Sequence, residues 1–203
     1  MIDLHAHILP GLDDGVATLE EARELARRAA GEGVTAIAAT PHVRDDYPTT
    51  AAQMQQALAQ VRDDFASEQI AVDVLPGAEL AIDRLPQIAE DELQQRSREV
   101  QAEPERLDAL VEDGALVQIT AASLDGRLGP SSRRAAQALI ERGHAHLLAS
   151  DAHGPSIREA GLTDAASAVG NKRLARWLTS EAPAAIVAGE SLPERPRRGW
   201  FGR

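Results

Sequence analysis

Ile2-Asp3-Leu4-His5-Ala6-His7 opens the chain as a short apolar strand that ends in two imidazoles. Residues two apart on a strand point the same way, so His5 and His7 face one side together and can grip one cation. The alternative is a pair of ordinary half-buried histidines, but imidazole is the commonest protein ligand for metals near neutral pH. The pattern returns twice. Val34 to Ala39 reads as a buried strand delivering Thr40-Pro41-His42, and Ala145 to Ser150 as a later one delivering Asp151-Ala152-His153. By the same two-residue spacing, Asp151 and His153 are expected to share a cation. Four of the six histidines fall in these segments, which points to a multi-metal site rather than scattered core residues.

Working outward, Thr18-x-x-Glu21 reads as a capping box that opens a helix through Ala30. Leu19, Ala22, Leu25, Ala26 and Ala29 share one face of it, and Gly31 and Gly33 end it. A long helix is expected over Thr49 to Glu68, with Met54, Leu58, Val61 and Phe65 on one side. The strand Ala71 to Leu75 then runs into Pro76-Gly77-Ala78-Glu79, and Leu116 to Thr120 forms another strand. Gly129-Pro130-Ser131 starts a helix that Gly143 stops, with helical patterns following over about Ser156 to Ala168 and Asn171 to Ser180. Short apolar runs alternating with longer amphipathic ones specify an α/β protein. Outside the loop after the first strand, each candidate ligand sits at the carboxyl end of a strand, where strand-helix barrels keep their active sites.

A length of 203 residues suits one domain with a sizeable core. Hydrophobic residues are 43% but aromatics only 2%, so that core must be built from Ala, Leu, Val and Ile. The net charge of -11 argues against a nucleic-acid partner, and the few aromatics leave little for base stacking. A phosphorylated substrate would need local positive charge, which bound divalent cations supply. The lack of cysteine excludes disulfides and thiolate chemistry and agrees with a cytoplasmic location. The amino terminus lacks the basic and apolar regions of a secretory signal, and no run approaches the roughly 20 apolar residues of a membrane span. The expected organisation is one domain over 1–190 and a basic, flexible tail over 191–203. A sharper reading of the tail is a docking tag for an anionic partner.

Asp13-Asp14-Gly15 alone is turn chemistry, and only its nearness to the paired histidines brings Asp14 into the candidate set. His42 after a proline and Glu79 near a glycine are each compatible with turn or capping roles as well. His144 and His146 precede or begin their strand, opposite the chemistry, and read as structural. The candidate ligands are therefore His5, His7, Asp14, His42, Glu79, Asp151 and His153. Mixed nitrogen and oxygen donors suit Zn, Mn or Fe better than Ca or Mg. Roughly two or three such ions would polarise a phosphoryl oxygen and turn bound water into hydroxide near neutral pH. No Ser-His-Asp pattern or P-loop competes, so metal-dependent hydrolysis is the favoured chemistry.

At this point a resemblance emerges. Met1 to Gly15 resembles the opening of the bacterial protein-tyrosine phosphatases of the PHP (polymerase and histidinol phosphatase) superfamily, which are linked to capsule and exopolysaccharide synthesis. Ala39-Thr40-Pro41-His42, Gly77-Ala78-Glu79, the run Gln118 to Gly126 and Ala149-Ser150-Asp151-Ala152-His153 follow in the family's order. The resemblance implies a distorted (β/α) barrel and phosphatase action on a tyrosine kinase that controls polysaccharide export. It implies that His5, His7, Glu79 and Asp151 surround one metal, and that Asp14, His42 and His153 surround another, with Glu79 bridging to a third. Arg158 matches an arginine that holds phosphate and Arg96 a second one, a task suited to guanidinium's planar fork of donors. Catalytic roles fall on Arg158, Asp151 and His42.

The chain departs from that family between Glu79 and Gln118, where two strands, one ending in Glu before Phe-Pro and one in His-Pro-Glu-Arg, are missing. Arg96 to Val100 looks like the run after that His-Pro-Glu, joined directly to a helix resembling Leu85 to Gln95. A strand-helix-strand unit takes about 30 residues or more, so the expected barrel is shortened to about five strands. Its bridging site lacks two ligands, for which Glu92 and Glu99 are the available substitutes. Two other functions stay open: a catalytically impaired metal- or kinase-binding protein, and a phosphoesterase of a small ester such as histidinol phosphate. Asp13-Asp14 and the Gln118 to Gly126 run favour the protein phosphatase over the latter.

Overall fold

The computed structural model describes residues 1–80, 108–112, 114–155 and 161–196. In chain order its elements are β1 (Ile2–Ala6), α1 (Leu19–Gly31), β2 (Ala36–Ala39), β3 (His42–Val43), α2 (Ala51–Ser67), β4 (Asp73–Pro76) and β5 (Glu79–Leu80). There follow α3 (Asp108–Glu112), β6 (Val117–Thr120), α4 (Ala121–Leu124), α5 (Gly129–Arg142), β7 (Ala145–Ala149), α6 (Leu162–Ala168), α7 (Lys172–Arg176) and α8 (Ala182–Ala188). A π-helical turn over Trp177–Glu181 joins α7 to α8, so the helix expected to stop at Ser180 runs on past Pro183. Proline is tolerated there because it occupies the first turn of α8.

Parallel pairing joins β1 to β2, β2 to β4 and β6 to β7. The two groups meet where β7 runs on beyond its end. Asp151 N–H donates to the His5 carbonyl at 2.9 Å, and His7 N–H donates to the Ala152 carbonyl at 2.8 Å. Among the described residues the order is therefore β6-β7-β1-β2-β4, with all partners parallel. Such a sheet needs helices over its faces, and α1, α2 and α5 supply the crossovers between successive strands. The core is mainly aliphatic as composition requires, with Ile8, Leu25, Ile37, Val61, Leu148 and Leu178 buried, joined by the rings of Phe65 and Trp177. The stretch 81–107, where the missing strands would belong, lies outside the described residues, as do Leu85 to Gln95, Glu92, Arg96 and Glu99.

Local signals account for most boundaries. Thr18 caps α1 by accepting the Glu21 N–H, but Glu21 reaches back to the Ala17 N–H at 2.6 Å rather than to Thr18 itself. The reciprocal capping box belongs to α2, between Thr50 and Gln53. Gly143 ends α5 in the left-handed region, at φ 89°, as a residue without a Cβ can. Residues 191–196 differ from the flexible tail expected from 191 onward. Arg195 donates to the carbonyls of Ala145 and Ile140 and lies over the Trp177 ring, while Trp177 Nε1–H donates to the Pro193 carbonyl at 3.0 Å. An aromatic face and two backbone carbonyls give a guanidinium a fitted socket, which composition alone does not reveal.

His146 lies near the start of β7, where its Nδ1 accepts the Val117 N–H at 3.0 Å. Burial and the positive charges of Arg195 and His144 hold its pKa below the ordinary imidazole value. The unfolded chain therefore takes up this proton first, so the stabilisation is complete above about pH 6.5 and fades as the pH falls below it. His146→Gln keeps an acceptor but cannot titrate. Urea unfolding of metal-free protein is expected to show the wild type losing stability relative to H146Q between pH 7.5 and 5.5. A difference that stays constant over that range would contradict this.

Candidate metal centre

β1 delivers His5 and His7, and the isolated parallel bridge between Ala6 and Ala152 brings the segment after β7 alongside them. β3 and β5 pair in parallel with His42 directly opposite Glu79, so the short second sheet sets two candidate ligands side by side. Asp14 enters from the loop after β1. All seven candidates thus converge beside the carboxyl ends of β1, β2, β4 and β7. Arg158 and Arg96 lie outside the described residues.

The donor atoms fall into two overlapping groups. His5 Nε2 lies 3.3 Å from His7 Nε2 and 3.1 Å from Glu79 Oε2. His7 Nε2 lies 3.4 Å from the same Glu79 oxygen, and Asp151 Oδ1 stands 3.6 Å from both imidazoles. Donors bound at about 2.0–2.2 Å to one tetrahedral cation would be roughly 3.3 Å apart, so these separations fit the edges of a ligand shell. In the second group, ligating atoms of His7, Asp14, His42 and His153 lie within 4.8 Å of one another. Asp14 Oδ1 is 3.2 Å from His42 Nε2 and 3.6 Å from His153 Nε2. Glu79 Oε2, 3.1 Å from His42 Nδ1, stands between the groups.

Asp151 and His153 divide between the two groups instead of sharing one cation by strand alternation. The reason is local. β7 ends at Ala149, and Asp151 adopts φ 54°, which breaks the alternation and turns its carboxylate toward His5 and His7. Aspartate tolerates the left-handed region better than most residues do, although such a conformation still stores strain. Two acceptor sites on Asp3, which is buried, hold the turn in place: Asp3 Oδ1 takes the Ser150 N–H at 2.9 Å and the His5 N–H at 3.3 Å.

Two side chains outside the candidate ligand set and one backbone carbonyl fix the rings. Gln118 Oε1 lies 3.1 Å from His5 Nδ1, Asp13 Oδ2 lies 2.6 Å from His7 Nδ1, and the Asp151 carbonyl lies 2.9 Å from His153 Nδ1. With Nδ1–H donating outward in each case, the Nε2 lone pair points into the cluster, which is the arrangement metal-binding histidines adopt. Asp13 is fully enclosed, whereas Asp14 is half-exposed. Gly15 closes over this pair so tightly that a Cβ there would lie 2.4 Å from the His7 Cβ. At the rim, the half-buried Tyr47 ring stacks beside His42 at 5.8 Å, with the Arg44 guanidinium 5.0 Å from the ring centre.

Charge points the same way. Burial opposes protonation of His7, yet hydrogen bonds with Asp13, Asp151 and Glu79 outweigh it and raise its pKa to about 11. His5 is raised against burial by Glu79 and Asp151. Burial would raise Glu79, but His5, His7 and His42 hold its carboxyl well below the usual range. A site crowded with carboxylates thus demands positive charge where the Nε2 atoms meet. Protons and a divalent cation compete for that place, so binding of the cation would release protons.

The family described as capsular polysaccharide synthesis, CpsB/CapC, matches residues 1–96 and again residues 86–186. The chain belongs to the CpsB/CapC family. It is 32% identical to the tyrosine-protein phosphatase YwqE of Bacillus subtilis over 201 residues, covering 78% of this chain and 79% of that one. To CapC of Staphylococcus aureus it is 30% identical over 196 residues, covering 75% and 77% respectively. Its fold is similar to a solved structure from a study of YwqE and of CpsB from Streptococcus pneumoniae, described as unique metal-dependent tyrosine phosphatases. There the TM-score is 0.82 and the identity 28%, over 98% of this chain and all of the other. The CpsB/CapC match comes in two pieces, both of which include residues 86–96.

Proposed function

We infer that the protein is a metal-dependent protein-tyrosine phosphatase of capsular or exopolysaccharide synthesis, hydrolysing phosphomonoesters on a tyrosine-phosphorylated protein. The observation that carries this is the pair of donor groups with ligand-shell spacing in a chain of the CpsB/CapC family. The substrate it suits best is the autophosphorylated tyrosine kinase of polysaccharide export, met in the cytoplasm. Among the described residues no helix is long and apolar enough to cross a membrane.

In this reading His5, His7, Glu79 and Asp151 hold one ion, and Asp14, His42 and His153 hold a second, with Mn, Fe or Zn as the metals. Bound cations supply positive charge at the phosphoryl oxygens and lower the pKa of water. Gln118, Asp13 and the Asp151 carbonyl keep Nδ1–H protons outward, leaving Nε2 lone pairs for binding. Arg158 and Arg96 hold the phosphate oxygens, and Asp151 and His42 keep the ions against it. The barrel is shortened to about five strands, the catalytic domain spans 1–190, and the bridging third site depends on substitutes from the shortened middle.

Metal analysis by mass spectrometry tests this together with hydrolysis of a phosphotyrosyl peptide under Mn, Co or Zn. The expected result is roughly two ions per chain and turnover that His5→Ala abolishes and His144→Ala leaves intact. Protein that binds no metal and leaves the peptide untouched would overturn it. The split family match favours one other reading, a partner-binding member that holds metal without turning over. Two ions with no hydrolysis would select that one.

A further inference from the structure

We propose that Asp13 is a positioning residue that ties the two donor groups together and sets which nitrogen of His7 faces them. This rests on the reading of the cluster as a metal centre. Asp13 is enclosed, with no exposed side-chain surface, and it donates nothing to the donor groups themselves. Its Oδ2 accepts two bonds at once, from His7 Nδ1–H at 2.6 Å and from the His42 N–H at 2.8 Å. Its Oδ1 accepts the Gly15 N–H at 2.9 Å. One carboxylate therefore spans His7, just past β1 and within both groups, and the backbone of His42, the first residue of β3 and a member of the second. Those two segments are bridged at the cluster by a single oxygen.

The three contacts also explain why a carboxylate stands here rather than an amide. All three partners are donors, and an aspartate offers acceptors on both oxygens. An asparagine has one acceptor and one NH2. If its NH2 takes the Oδ1 place, it confronts the Gly15 N–H. If its NH2 takes the Oδ2 place, it confronts the His42 N–H and faces His7 Nδ1, which can then accept only by moving its proton to Nε2. That transfer would bury the lone pair the cluster needs. In either orientation the imidazole loses an anionic partner, and such partners typically carry about 10–100-fold in metal affinity.

The experiment is a direct titration of metal-free wild type and Asp13→Asn with Zn and with Mn, followed by calorimetry, alongside circular dichroism to establish folding. D13N is expected to bind about 10–100-fold more weakly. Its phosphotyrosyl-peptide turnover should recover as metal is raised, with KM little changed. Unchanged binding in folded D13N overturns the proposal, and so does activity lost equally at every metal concentration. Nitrogen-15 NMR of the Zn-loaded wild type reads the same claim without a variant. His7 should coordinate through Nε2 and keep its proton on Nδ1, and coordination through Nδ1 overturns the proposal even if D13N does not fold. Wild type that binds no metal defeats the metal-centre reading itself, whereas wild type and D13N binding alike defeat only the role given to Asp13.

Discussion

His7→Ala is expected to reduce hydrolysis of a phosphotyrosyl peptide by about a thousandfold or more, equivalent to about 4 kcal/mol of transition-state stabilisation. Its effect should be as large as that of His5→Ala. His7 takes part in both groups, while His5 and Asp151 serve one and Asp14, His42 and His153 serve the other. Its ring also stacks on His153 at 3.9 Å between centroids and lies 4.5 Å from His42, so the cavity left by alanine opens beside two further ligands. Added metal should not restore the rate, because no nearby side chain can replace a lone pair delivered from the end of β1. Stability should fall too. Asp13 would remain buried without its closest partner, and breaking a buried pair this way costs about 3–5 kcal/mol. Steady-state kinetics at saturating metal and urea unfolding check the two halves separately. A folded H7A protein retaining a tenth of wild-type activity would remove His7 from the centre.

The second large effect is expected from a residue with no side chain. In Gly15→Ala the new Cβ would fall 2.4 Å from both the Cβ and the carbonyl oxygen of His7, and 2.9 Å from Asp13 Oδ1. No flexible side-chain end can yield there. The obstacle is the end of β1, whose His7 carbonyl already accepts the Val16 N–H at 3.1 Å. Overpacking of this kind costs about 1–3 kcal/mol, which for a chain of this size lowers the melting temperature by roughly 2–12 °C. Relief must come by moving His7 or Asp13. A displacement near 1 Å at a reacting centre costs about 100-fold in rate. G15A should therefore lose both melting temperature and metal affinity. A variant that melts lower but binds metal as wild type does would show that the loop, not the ligand, gives way.

Much of the candidate centre is legible because donor side chains at strand ends leave a periodic trace. His5 and His7 are two apart, and a run of small apolar residues stops at each of Thr40, Pro76 and Ser150. What could not be read was anything set by pairing between distant segments. Glu79 stands opposite His42 through the register of β3 and β5, and nothing local to either residue announces it. The turn at Asp151 defeated the spacing rule because a left-handed residue other than glycine has no distinct sequence signature. Asp13 was hidden by its own neighbours, since Asp-Asp-Gly describes a surface turn equally well and only the fold shows which carboxylate goes inward. Gln118 gave no signal at all beyond its place in the family run. The helical pattern fades near Ser180 in the sequence, yet the π-helical turn over Trp177–Glu181 carries the chain into a new helical segment with Pro183 in its first turn.

The donors come from stretches as far apart as His5 and His153, and Asp3 and Ser150, 147 residues apart, are already joined beneath them. An ion seated above that joint works as a rivet. It shuts one of the longest loops in the molecule, and closing long loops removes the most freedom from the unfolded chain. At a hundred times its dissociation constant it adds about 2.7 kcal/mol. A cell starved of the metal would then lose the polypeptide to proteolysis as well as its turnover, so the abundance of this protein would itself register the supply of the ion.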